Sequence, residues 1–197
     1  MTKILFVCHG NICRSPMAEF VMKDLVKKAG MESQFHIESA ATSTEEIGSP
    51  VYPPARRKLA EHGIGSDGHA ARQLRNEDYD RFNLLIGMDK ANLRNMYRIC
   101  GGDFDGKIHL LMEYAGRPGK GTQRKPSGAG CVGRGEARKR PEFSPQAETE
   151  ESGLCFDEVA DPWYTDDFEA TWRDVMEGCT GLLEWHTQQQ KIGEGAS

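Results

Sequence analysis

From Lys3 to Cys8 the chain is almost wholly aliphatic, β-branched or aromatic, the pattern of a short strand buried on both faces of a parallel sheet. The run stops at Gly10 and Asn11, and Ser15-Pro16 then reads as the N-cap and first residue of a helix that ends at Gly30. The same alternation recurs. Phe35–Ala41 reads as a second strand, Pro54–His62 as a helix stopped by Gly63, and Asn83–Met88 as a third strand. Asp89 caps a helix whose apolar positions Leu93, Met96 and Tyr97 share one face, and Lys107–Leu111 is a fourth strand. From about Asp167 the residues Phe168, Trp172, Val175, Cys179, Leu182 and His186 advance in steps of four and three, a helical stripe that faces a core. The elements predict an α/β fold, an open sheet of four parallel strands with helices on both faces, whose ligands sit beyond the carboxyl ends of the strands.

One stretch breaks the pattern. The 38 residues 116–153 hold eight Gly, four Pro and a single aromatic, Phe143, too little apolar surface to offset the entropy of ordering them. They read as a disordered insertion between the fourth strand and the segment around Asp161, within a single domain spanning 1–197. Their charges are segregated. Eight basic residues against Glu136 alone lie between Arg117 and Arg140, which offers an acidic partner a surface, and six acids without Lys or Arg lie between Glu142 and Glu158.

Composition narrows the function. A chain of 197 residues with 25 Lys+Arg against 30 Asp+Glu has a net charge of −5, and lacks the positive field expected of a nucleic-acid binder. No apolar run approaches the ~18 residues that would span a bilayer, and the N-terminal apolar stretch is too short for a secretory signal, so the expected location is cytoplasmic. The six cysteines form no C-x-x-C pair and no regular framework, which gives a metal site little support.

The chemistry is concentrated in Cys8-His9-Gly10-Asn11-Ile12-Cys13-Arg14-Ser15, between a strand end and a helix start. A loop of this length curls its backbone N–H groups around one point at a helix N-terminus, a cradle for a tetrahedral oxyanion. Arg14 would close the cradle with a planar fork suited to two phosphate oxygens. Cys8 stands in the same positive field, which favours a nucleophilic thiolate, and Ser15 is placed to donate to its sulfur. Such chemistry needs a proton donor for the leaving oxygen. Asp161-Pro162-Trp163-Tyr164 is the best candidate, although the same residues also read as a turn capped by Asp.

These residues resemble the low-molecular-weight protein tyrosine phosphatase family, through its V-C-x-G-N-x-C-R-S-P-M-A-E signature at Val7–Glu19 and its D-P-W/Y-Y acid loop at Asp161–Tyr164. Glu38-Ser39-Ala40, the run from Gly68 to Gln73, and Met88-Asp89 leading into Asn92-Leu93-Arg94 extend the match. The resemblance implies a flavodoxin-like fold, no metal or organic cofactor, and hydrolysis of phosphotyrosine in protein substrates through a phosphocysteine intermediate. It makes Cys8 the nucleophile, Arg14 the phosphate ligand and Asp161 the general acid. His9, Gly10, Asn11, Ile12, Cys13 and Ser15 would line the phosphate loop, with Ser39 and His69 supporting it. His69 reads equally as a satisfied core histidine. Cys13 matches a second thiol that pairs with Cys8 on oxidation, and Trp163 and Tyr164 match one aromatic wall of the substrate slot.

The chain departs from the family in two places. His9 replaces a larger apolar residue, and Thr44-Glu45-Glu46-Ile47 lacks the usual aromatic of the opposite wall and puts negative charge there instead. Three rival functions share the scaffold. An arsenate reductase needs a cysteine relay, yet no Cys follows Leu85–Asp89 until Cys100. In protein arginine phosphatases a Thr precedes the second loop cysteine, where this chain has Ile12. A non-catalytic phospho-ligand binder would ordinarily have lost the nucleophile, whereas Cys8, Arg14 and Asp161 are all present.

Overall fold

The computed structural model describes residues 1–116 and 158–194. The insertion read at 116–153, with its basic half and the partner expected there, therefore lies outside the described residues except for Gly116, as do Cys131 and Cys155. The sheet has four strands, β1 (Thr2–Cys8), β2 (Phe35–Ala41), β3 (Leu84–Gly87) and β4 (Ile108–Leu110), all parallel, in the order β2-β1-β3-β4. The open parallel α/β sheet expected from the alternation, and the flavodoxin-like fold implied by the resemblance, are what the chain forms. β1 pairs from Thr2↔Phe35 to Cys8↔Ala41 on one side and from Ile4↔Leu84 to Val7↔Gly87 on the other. The connection out of β1 goes to one neighbour and the later chain returns on the other side. The carboxyl end of β1 is thus the point where strand order reverses, and Cys8 stands on it.

The period of two along β1 divides the core. Ile4, Phe6 and Cys8 face α1 (Arg14–Lys28), α2 (Pro53–Glu61) and α6 (Phe168–Glu194), packing with Met17, Val21, Leu59, Trp172 and Val175. Leu5 and Val7 face the other way, onto Tyr79 and Phe82 around α3 (Asn76–Arg81) and Met96 and Cys100 of α4 (Lys90–Cys100). All six residues of the predicted stripe on α6 are buried. No helix among the described residues is long and apolar enough to cross a membrane.

One boundary differs from expectation in a way that matters for the site. Helix α1 begins at Arg14 with Cys13 as its N-cap, so Ser15 lies inside the first turn and does not cap it. Its hydroxyl is turned to the Cys8 sulfur instead, and a side chain engaged there cannot also serve the helix amides. At the other end, Gly30 adopts φ 68°, its N–H bonds Lys27 O, and Met31 N–H bonds Val26 O, a Schellman closure that requires the left-handed glycine. Helix α3 was not foreseen, because its sequence Asn-Glu-Asp-Tyr-Asp-Arg carries almost no apolar periodicity. It is held by Asp78, whose carboxylate accepts from the Arg75 N–H and from Arg72.

Helix α6 approaches the end of the sheet unusually closely. A Cβ on Gly178 would stand 2.5 Å from Leu111 Cγ, and one on Gly181 would stand 1.8 Å from the carbonyl oxygen of Tyr114. Alanine in a helix normally gains about 1 kcal/mol over glycine. At Gly181 the overlap is with backbone, which has little room to yield, so Gly181→Ala is expected to reverse that sign and cost about 2 kcal/mol or more in chemical denaturation. Gly178→Ala should cost less, since a leucine side chain can shift. A Gly181→Ala protein as stable as the parent would refute this packing.

Candidate active site

The loop after β1 is fixed from three directions. Thr42 and Ser43 donate backbone N–H groups to Cys8 O and His9 O, at 2.8 and 3.0 Å, and Tyr52 N–H reaches Ile12 O at 2.8 Å. Asn11 holds the centre. It is fully buried in the left-handed region at φ 58°, a conformation that Asn tolerates better than most residues. Its Nδ2 donates to Ser15 Oγ at 2.9 Å and to Ser39 Oγ at 2.8 Å, and its Oδ1 accepts from the Arg72 N–H at 3.1 Å. Its carbonyl accepts from His69 Nε2 at 2.8 Å, which assigns the proton of that ring to Nε2, since a carbonyl only accepts. Ser39 Oγ in turn donates to the Glu19 carboxylate, which lies 4.0 Å from His69 Nδ1. The expected loop-supporting pair Ser39 and His69 therefore meets through Asn11, with Glu19 as a third member that was not foreseen.

The same bonds orient Ser15. Because Ser15 Oγ already accepts from Asn11, its own proton is free to point to the Cys8 sulfur at 3.0 Å, nearer than the alternative Ala40 carbonyl at 3.5 Å. Asn11 N–H is the second donor to that sulfur, at 3.3 Å. The first amides of α1 add to this positive end, because no acceptor inside a helix reaches them.

Arg14 is the buried cation of the site, only 4% exposed. Its Nη1 donates to Asp89 Oδ2 at 2.6 Å and its Nη2 contacts Asp161 Oδ2 at 2.5 Å. Burial opposes the charge, but the sulfur of Cys8 and the two carboxylates outweigh burial and raise the guanidinium's pKa. Asp89 is also the N-cap of α4, accepting from Asn92 N–H through its other oxygen at 2.6 Å. Sequence reasoning gave Asp89 only this capping role. Its position just past the carboxyl end of β3, where such sheets collect ligands, was the available sign of a second.

Asp161 precedes α5 (Pro162–Thr165) and caps it, its Oδ1 accepting the Trp163 N–H at 3.1 Å. The reading of this aspartate as a turn cap holds, and the capping carboxylate is also the one paired with Arg14. The segment is hung between β3 and α6: Val159 N–H bonds Met88 O, and Ala160 N–H bonds Asp174. Trp163 and Tyr164 are largely exposed at the rim. At the phosphate loop His9 Nε2 meets Glu45 Oε2 at 3.2 Å, and Glu46, held by Ser49, packs beside Gly10. The acidic pair that replaces the usual aromatic thus borders the loop. The aromatic that does come close is Tyr52, whose ring centroid is 5.9 Å from that of Trp163. Nothing in the hydrophobic pattern had marked it. Cys13, at the base of the loop, has its pKa pushed up to about 12 by burial and then by the nearby charges of Cys8 and Asp161. Among the described residues no group of three or more His, Cys, Asp or Glu could hold a metal ion.

This constellation has known counterparts. A family model described as low molecular weight phosphotyrosine protein phosphatase matches residues 3–124. The chain belongs to that family. It is 32% identical over 183 residues to the low molecular weight protein-tyrosine-phosphatase YfkJ of Bacillus subtilis, a match covering 93% of this chain and 94% of the relative. It is 43% identical over 113 residues to the low molecular weight phosphotyrosine protein phosphatase of Gallus gallus, covering 56% of this chain and 71% of the relative. The crystal structure of YfkJ superposes with a TM-score of 0.72 at 29% identity, covering 96% of both chains. That of SP-PTP, a low molecular weight protein tyrosine phosphatase from Streptococcus pyogenes, gives 0.67 at 32% identity, covering 93% of this chain and 92% of that one.

For this family member the Asn11 network predicts a separable effect. Asn11→Gly keeps the left-handed backbone but leaves Ser15, Ser39 and the Arg72 amide without their partner. Phosphate affinity, measured by titration calorimetry, should fall about 10- to 100-fold, the equivalent of ~1–3 kcal/mol for unsatisfied buried groups. Unchanged phosphate binding would mean that the side-chain network does not shape the loop.

Proposed function

We propose that the chain hydrolyses phosphotyrosine in protein substrates, with Cys8 as nucleophile, Arg14 as phosphate ligand and Asp161 as general acid. The observation that carries this reading is one contiguous geometry. The Cys8 sulfur receives two hydrogen bonds ahead of α1, and the Arg14 guanidinium paired with the Asp161 carboxylate lies within electrostatic reach of it.

In this mechanism the loop amides, including those of Gly10, Ile12 and Cys13, and the Arg14 fork hold the phosphoryl oxygens. Arg14 Nη2 exchanges Asp161 for a phosphate oxygen, while Nη1 stays on Asp89 and fixes the plane of the guanidinium. The Cys8 sulfur attacks phosphorus as the P–O bond to the aryl group breaks, and protonated Asp161 gives its proton to the departing phenolate oxygen. Water then attacks the phosphocysteine. It loses a proton to Asp161, the S–P bond breaks, and inorganic phosphate leaves with the Cys8 thiolate restored. Ser15 donates to that thiolate and eases its departure. Trp163 and Tyr164 flank the aryl ring, and the acidic Glu45 makes the other side of the rim less welcoming to an acidic peptide.

A cytoplasmic setting accords with cysteine spacing that forms no C-x-x-C pair and no regular framework. There the site is open to peroxide, which oxidises the Cys8 thiolate to a sulfenic acid and is itself reduced to hydroxide. The Cys13 thiol then displaces that oxygen as water and closes a disulfide.

Two experiments test these assignments. Cys8→Ser should abolish turnover of aryl phosphates yet still bind phosphate, and Asp161→Asn should lower kcat/KM by about 10²–10⁴ for phenyl phosphate but far less for dinitrophenyl phosphate, whose leaving group needs no proton. Equal losses on both substrates would remove Asp161 from the acid role, and substantial turnover by Cys8→Ser would remove the phosphocysteine. For the redox step, Cys13→Ser should be inactivated by peroxide like the parent, but under excess peroxide its Cys8 sulfenic acid, with no thiol to close a disulfide, is oxidised by a second peroxide to sulfinic acid and dithiothreitol fails to restore activity. Parent-like recovery would leave Cys13 a packing residue.

A further inference from the structure

The acid loop touches the phosphate loop in two ways. One is ionic, the contact of Asp161 with Arg14. The other is aromatic and centres on Tyr52, the half-buried residue that precedes α2. Its backbone N–H is fixed to Ile12 O at 2.8 Å, so it moves with the phosphate loop. Its ring lies 5.9 Å from Trp163 and 6.2 Å from Phe168, centroid to centroid. Those two rings bracket the segment that follows Asp161: Trp163 is in α5, tied to the Asp161 carboxylate through its own N–H, and Phe168 opens α6.

On the reading of Asp161 as general acid, catalysis withdraws one of these anchors. When Arg14 turns a donor to the phosphate, the carboxyl group loses its ion pair at the moment its position decides proton transfer. An aromatic contact carries no charge and is not competed away by an anion. We propose that Tyr52 is a positioning residue, whose ring clasps Trp163 and Phe168 and keeps Asp161 over the leaving group once Arg14 has engaged phosphate. Pairs of this kind are worth up to about tenfold in an equilibrium constant, enough to set the population of a short loop. The contribution comes from the ring, so the phenolic hydroxyl is dispensable.

The test compares kcat/KM, which reports steps through P–O cleavage, for phenyl phosphate and dinitrophenyl phosphate. Tyr52→Ala should lose about tenfold on the first and less than about twofold on the second, because only the first needs the acid. Tyr52→Phe should restore parent-like values on both. In an Asp161→Asn background, Tyr52→Ala should add no further loss on phenyl phosphate, since a residue acting through the carboxyl has nothing left to position. If Tyr52→Ala fails to fold, Tyr52→Leu carries the same comparison, since it removes the ring while keeping apolar bulk. Equal losses on both substrates, or an undiminished loss in the Asp161→Asn background, would overturn the clasp and leave Tyr52 supporting the loop alone. If Asp161→Asn itself failed to discriminate between leaving groups, the acid assignment would fall first, and the clasp with it.

Discussion

A guanidinium removed from water is the constraint around which this end of the sheet is arranged. Burying a cation costs several kcal/mol, and the cost is met only where partners of opposite charge stand in good geometry. Arg14 finds Asp89 beyond β3, Asp161 ahead of α5 and the sulfur at the end of β1. Three segments far apart in sequence are thereby tied to one side chain. Each is answerable to the others, because a lost carboxylate would leave an uncompensated buried charge.

The backbone beneath Arg14 is held by a different kind of bond. Asn11 sits at a positive φ that few side chains accept, and its side chain and backbone are engaged with Ser15, Ser39, Arg72, His69 and the Cys8 sulfur. The neutral network sets the curl of the loop and the direction of the Ser15 proton, while the ionic one sets where charge is held. The two meet at the Cys8 sulfur, which takes its hydrogen bonds from the first and its electrostatic surroundings from the second.

Much of this was legible before any coordinates. β1 was marked by an almost uninterrupted apolar run and β2 by a second stretch of strand character, α6 by a stripe of buried positions, and the loop by a cysteine and an arginine at a spacing that chance seldom supplies between a strand and a helix. What could not be read was tertiary. Ser15 next to Pro16 has the local signature of a cap, and only the nearness of the Cys8 sulfur turns its hydroxyl elsewhere. Asp89 looked complete as a cap because one of its oxygens is one, and the second oxygen's partner lies on another helix. Helix α3 is too short and polar for periodicity to register, and Tyr52 borrows its significance from two rings more than a hundred positions away.

The close seat of Gly181 against Tyr114 has a consequence for how this chain tolerates change. The contact pins the chain at the exit from the sheet to the middle of α6, while Ala160 is tied to Asp174 and Thr171 near the start of the same helix. Both stumps of the intervening segment are therefore clamped to one rigid rod. Whatever chain is spliced between them, the distance its ends must span is set by the rod and not by the splice. The aim of Asp161 is accordingly borrowed from the rod and from β3, through Ala160 and Val159, and not from the chain that leads up to it.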